Sequence, residues 1–137
     1  MIHRRTVLEG LMASLVGAHA AAAVKEEGAA QVTSVFHGEL PAVSLANWDV
    51  TAVEVHYDPG VASAAHRHPG FVLGYVLEGS VRFALRGQPE RVVTQGQMFY
   101  EPPGSVHQVS SNASNDKPAR LLALIFAERG ATLTRPA

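Results

Sequence analysis

From residue 50 onward, apolar and polar positions alternate in short runs divided by glycine and proline. In "TAVEVHY", Val53, Val55 and Tyr57 share one parity and Ala52, Glu54 and His56 the other. That period of two is expected of a strand with one buried face. Asp58-Pro59-Gly60 closes it as a turn. "FVLGYVLEG" and "SVRFALRG" follow as strands ending at Gly79 and Gly87, the second alternating Val81, Phe83, Leu85 against Arg82, Ala84, Arg86. "ERVVTQG", "QMFYEPPG" and "VHQVSS" continue the series as far as the polar "NASNDKP". The last apolar segment, "RLLALIFAERG", is long enough for a helix, but its Leu/Ile/Phe density after a proline-ended turn predicts a buried strand. Short strands at such spacing predict an all-β sandwich or barrel.

The first 23 residues are of another kind. "MIHRRTVLEGLMASLVGAHAAAA" passes from a basic start into an Ala/Leu/Gly run with small residues at its end, the composition of an export signal. Arg4-Arg5-Thr6-Val7-Leu8 resembles the twin-arginine type, from which Glu9 departs. The expectation is a signal peptide over 1–23 and a periplasmic or secreted product. The competing reading is an amphipathic helix packed on the domain. A membrane anchor is expected only if the signal stays uncleaved, because a spanning helix needs about 20 strongly apolar residues. Residues 24–49 then form an N-terminal lead-in and first strand, and 50–137 the barrel.

Composition narrows the chemistry. The chain has 137 residues, room for one domain. It has no cysteine, which removes disulfides, thiolate nucleophiles and sulfur-bound zinc. The formal net charge of -1 is scattered along the chain, so no basic stripe points to nucleic acid.

Two histidines stand out as candidate metal ligands. His66 and His68 stand two apart, so on a strand they project from one face. Such a pair is a weak signal alone, but it sits in a frame. Gly60 lies six residues before His66 and Gly79 eleven after His68, and Gly96, Pro102, Gly104 and His107 form a second block. These residues resemble the two motifs of the cupin superfamily, G-x5-H-x-H-x(3,4)-E-x6-G and G-x5-P-x-G-x2-H-x3-N. The resemblance spans roughly residues 50 to 128. It implies a double-stranded β-helix (jelly-roll) barrel of the small single-domain, type-2-like kind, with His66, His68 and His107 binding a divalent metal at the base of its mouth.

Two positions depart from the motifs. The glutamate position falls on Val72 or Leu73, neither of which can bind a cation, and the final asparagine position is Ser111, with Asn112 next to it. Three neutral imidazoles with an open position still suit iron, zinc, nickel or copper, whereas manganese, which prefers oxygen ligands, suits less. Losing a carboxylate leaves such a site more positive, so a small anionic or chelating partner is expected. Dioxygenase-, lyase- and isomerase-like chemistry all stay open, beside a non-catalytic small-molecule or sugar-binding barrel.

Glu101 is the nearby candidate for a fourth ligand or a general base, although a solvated or rim carboxylate is the preferred expectation for it. Tyr75, Phe83 and Phe126 are candidates for the pocket wall, with core packing as the competing account. His56 and Arg67 are expected to face outward, and Trp48 to seal a barrel end. A homodimer is a further expectation of the resemblance.

Overall fold

The computed structural model describes residues 30–137. The export-signal segment and the start of the lead-in lie outside the described residues. The remainder contains ten strands: β1 (Trp48–Tyr57), β2 (Ala62–Ser63), β3 (His66–Arg67), β4 (Phe71–Glu78), β5 (Ser80–Leu85), β6 (Arg91–Thr94), β7 (Met98–Glu101), β8 (His107–Asn112), β9 (Ala119–Glu128) and β10 (Arg135–Pro136). There is no helix among the described residues. The segment that could have been helical is β9, a ten-residue strand.

The strands form two sheets. One has the order β1-β9-β4-β7; the other has the order β10-β3-β8-β5-β6, with β2 also paired to β8. All pairings are antiparallel, and neighbours in space are often distant in sequence, as in β1 with β9 and β4 with both β9 and β7. This is the double-stranded β-helix that the motifs implied.

The inner faces follow strand parity. β1 turns Val53, Val55 and Tyr57 inward and leaves Glu54 and His56 exposed, as its alternation predicted. Val72 and Val76 of β4, Val81, Phe83 and Leu85 of β5, Val93 of β6, Phe99 of β7 and Leu121 and Ile125 of β9 close the core between the sheets. Each such side chain contributes about 1.5–3 kcal/mol by leaving water. Phe99 and Phe83 meet at a centroid distance of 4.5 Å. Gly79 makes the tight β4–β5 turn at φ 69°, where a Cβ would stand 2.6 Å from the Pro118 carbonyl oxygen, so a side chain is excluded twice over.

The outer face of the first sheet is apolar at one end, while Glu54, Glu78 and Arg120 pair at the other. Phe71 stacks on Phe126 at 4.6 Å and lies 6.0 Å from Trp48 and 6.3 Å from Tyr100. Trp48 therefore packs into an aromatic cluster on the sheet's outer surface, at the start of β1.

Candidate metal centre

Two short strands of the second sheet bring the histidines together. His66 on β3 pairs directly with His107 on β8, and His68 follows two residues on. The ring centroids are 5.0 Å apart for His66 and His68 and 4.9 Å for His66 and His107. One ring nitrogen from each lies within 4.8 Å of the others. Arg67 between them is exposed, as parity requires, and His56 is exposed beside Glu54, 3.0 Å away.

Each imidazole has its Nδ1 against an acceptor. His66 Nδ1 donates to the Ala64 carbonyl (2.8 Å), and His68 Nδ1 donates to the Leu133 carbonyl (2.7 Å). His107 Nδ1 lies 3.0 Å from Oε1 of Glu101. With Nδ1 carrying the proton, Nε2 is left with its lone pair, which is the tautomer a metal needs. His107 Nε2 is buried and has no hydrogen-bond partner among the described residues. A buried, unpartnered nitrogen costs about 1–3 kcal/mol, a cost that an ion between the rings would offset. The His66 pKa is lowered from its usual value, first by burial, against the Ala64 hydrogen bond, and further by His107 and His68. Neutral imidazole is thus favoured, and the donor set fits a divalent transition metal.

Glu101 corrects the expectation of a rim carboxylate. It is 4% exposed. β7 turns Phe99 and Glu101 inward and Met98 and Tyr100 outward, and its register places Glu101 directly opposite Val72 on β4. The carboxylate missing from the motif position therefore enters the same region from the neighbouring strand. Its Oε2 stands 3.9 Å from His68 Nε2. The inference of a site stripped of negative charge is corrected with it: the acidic group has moved across one ladder position. Sequence reasoning left the two faces of "MFYE" open, because each pairs one aromatic with one other residue.

The predicted pocket wall is also corrected. The cavity in front of the histidines measures about 440 Å³, within the ordinary range for small-molecule sites. Its apolar walls include Val53, Val55, Leu121, Ile125 and Phe99. Tyr75 and Phe126 have the opposite parity on β4 and β9 and lie on the outer face. Phe83 is buried in the core, 4.9 Å from the His107 ring, and supports the site from behind. The β1 part of the wall was recoverable from its alternation. The β9 part was not, since both faces of that strand are apolar. The C-terminal segment, unmarked in sequence, supplies Thr134, Arg135 and Pro136 to the cavity rim. Asn112, next to the motif asparagine position, donates its amide to the Tyr57, Asp58 and Lys117 carbonyls and ties the end of β8 to two turns.

A search of curated proteins returned no match. Several solved structures are similar. DMSP lyase DddQ from Ruegeria pomeroyi is 24% identical with a TM-score of 0.56, over 64% of this chain and 43% of that one. A cupin-like protein from Thermotoga maritima is 23% identical with a TM-score of 0.57, over 64% of each chain. Oxalate decarboxylase from Bacillus subtilis is 20% identical with a TM-score of 0.55, over 66% of this chain and 24% of that one. The chain thus spans less than half the length of either named enzyme, and these likenesses speak to the fold. The family model for the cupin domain matches residues 53–125, more than half of the chain and inclusive of all three histidines. With its motif histidines converging inside a two-sheet jelly roll, the chain belongs to the cupin family.

Proposed function

We propose that this cupin binds a divalent transition metal through His66, His68 and His107 and receives a small chelating molecule in the cavity before them. The observation that carries this reading is the shared anchoring of the three Nδ1 atoms, which leaves His107 Nε2 buried and without a partner. Iron, zinc, nickel and copper suit the imidazole set, and manganese less so. When bound, the ion supplies a Lewis acid or, for a redox metal, an oxygen-activating centre.

The protein's own groups have distinct tasks. Glu101 Oε1 holds the His107 ring in its ligating orientation. Oε2, turned toward His68, is the acceptor for a proton released by a bound ligand. The apolar wall of Val53, Val55, Leu121 and Ile125 keeps water from the ligand's body and strengthens polar contacts at the histidine end. With Glu101 offsetting part of the ion's charge, neutral or singly charged chelators suit the site better than dianions. Dioxygenase-, lyase- and isomerase-like reactions all use such an arrangement. The resemblance of the N-terminal residues to a twin-arginine signal supports export to the periplasm, for which the N-terminal sequence of periplasmic material is the check.

Zinc titration by calorimetry tests the reading. At 100 times its dissociation constant, zinc should stabilise the protein by about 2.7 kcal/mol, and His107→Ala should abolish the effect. Wild-type protein that neither carries nor takes up zinc, nickel, copper or iron would instead favour a metal-free binding barrel. Oxygen uptake over diketones, phenols and keto acids then separates turnover from binding.

A further inference from the structure

Three hydroxyl groups line the same cavity three residues along β8 from the histidine pair. Tyr57 ends β1, Ser63 ends β2, and Ser110 lies on β8 opposite Ser63. The Tyr57 hydroxyl is 2.9 Å from Ser63 Oγ and 2.7 Å from Ser110 Oγ. Tyr57 and Ser110 are buried, and Ser63 is exposed at the cavity's edge. Among the described residues the trio makes only these two contacts, and each contact uses one hydroxyl hydrogen. Three hydroxyls carry three hydrogens. Whichever way the chain of donors runs, one donor is left over, across the apolar wall from the polar groups at the histidine end.

Strand parity alone would not put Ser110 on the same face as His107. The β5–β8 register shifts at this point, from Ala84 opposite Val109 to Leu85 opposite His107. This extra residue in β8 turns both side chains inward, the re-aiming that β-bulges produce. The two polar centres are separated by roughly 10 Å of strand, with Val53, Val55, Leu121 and Ile125 among the apolar wall. Arg135 also reaches the cavity, but it is exposed, in register with Arg67 beside the histidines rather than with Ser63.

We propose that Tyr57, Ser63 and Ser110 form a second anchoring point, which donates a hydroxyl hydrogen to an uncharged oxygen of the ligand. The ligand class is then a small molecule with a chelating head, an apolar body and a carbonyl or ether oxygen at its far end. A distal carboxylate fits poorly, since the trio offers hydroxyl dipoles and no cation. The chelating head rests on the metal reading above; the distal contact does not.

The test compares two shape-matched catechols by calorimetry, with and without zinc. 4-Methoxycatechol carries the distal oxygen, and 4-ethylcatechol has a methylene in its place. Wild-type protein should bind the methoxy compound about fivefold more tightly, the worth of one net hydrogen bond. Each single substitution still leaves a free hydroxyl, so the preference should fall to about one only in the combined Tyr57→Phe, Ser63→Ala, Ser110→Ala variant, with zinc binding unchanged. Equal affinities in wild type, a preference that survives loss of all three hydroxyls, or no binding of either catechol at millimolar concentration would overturn the proposal. A preference retained while zinc leaves both affinities unaltered would sink the metal reading and leave the hydroxyl anchor standing.

Discussion

Replacing Glu101 by glutamine isolates the charge of the relocated carboxylate while keeping its volume. In the native protein Oε1 lies 3.0 Å from His107 Nδ1, and both side chains are almost fully buried. Outer partners of this kind change metal affinity by roughly 10- to 100-fold, or about 1.4 to 2.7 kcal/mol. Glu101→Gln should therefore weaken zinc binding by at least tenfold. Its effect on the metal-free protein should have the other sign. The glutamine oxygen can still accept from Nδ1, and the exchange removes the desolvation penalty of a buried carboxylate. The metal-free melting temperature should hold or rise. Calorimetric titration with zinc and thermal melts of the metal-free protein give the two readouts. Undiminished zinc affinity would refute the reasoning, and so would a parallel fall in affinity and metal-free stability, which would make Glu101 a structural group only. Val72→Glu complements this test. It would set a second carboxylate opposite the first across one ladder position, and such like charges resist joint ionisation, so it should destabilise the metal-free protein unless Glu101 is replaced as well.

Gly74→Ala should destabilise the protein by about 2–3 kcal/mol in chemical denaturation, because a methyl there overlaps the Phe99 ring; Phe99→Leu in the same chain should recover part of the loss. Truncation after Gly130 removes the Leu133 carbonyl that orients His68 and should weaken zinc binding about tenfold, whereas Leu133→Ala keeps that carbonyl and should cost stability with little loss of affinity. In the metal-free protein, an NMR titration should place the His66 midpoint below 6.5, since burial disfavours its cation. The unfolded chain then takes up that proton first. The His66 contribution to stability is therefore full above pH 6.5 and is lost as pH falls through the lowered native value; a midpoint above 6.5 would contradict the assignment.

Local patterns carried most of the fold. The alternation of Val53, Val55 and Tyr57 and the glycine-ended runs after it marked strands correctly, because side-chain period and turn chemistry act over a few residues. The histidines were legible for the same reason: His66-x-His68 and Gly96 to His107 are each short, and each keeps its spacing within one strand and turn.

The sequence by itself determined the all-β character of the chain, the three imidazoles and the missing glutamate at Val72. Only the tertiary structure decided what replaced that glutamate. Glu101 faces inward because β7 pairs with β4 in one register, and a slip by one residue would have sent it to the outer surface. The Leu133 carbonyl behind His68, the turn of Ser110 toward the cavity and the outward placement of Tyr75 and Phe126 have the same origin. Each depends on which distant strands pair and at what register, a choice made by burying the best set of inner faces together. No window of neighbouring residues contains that information.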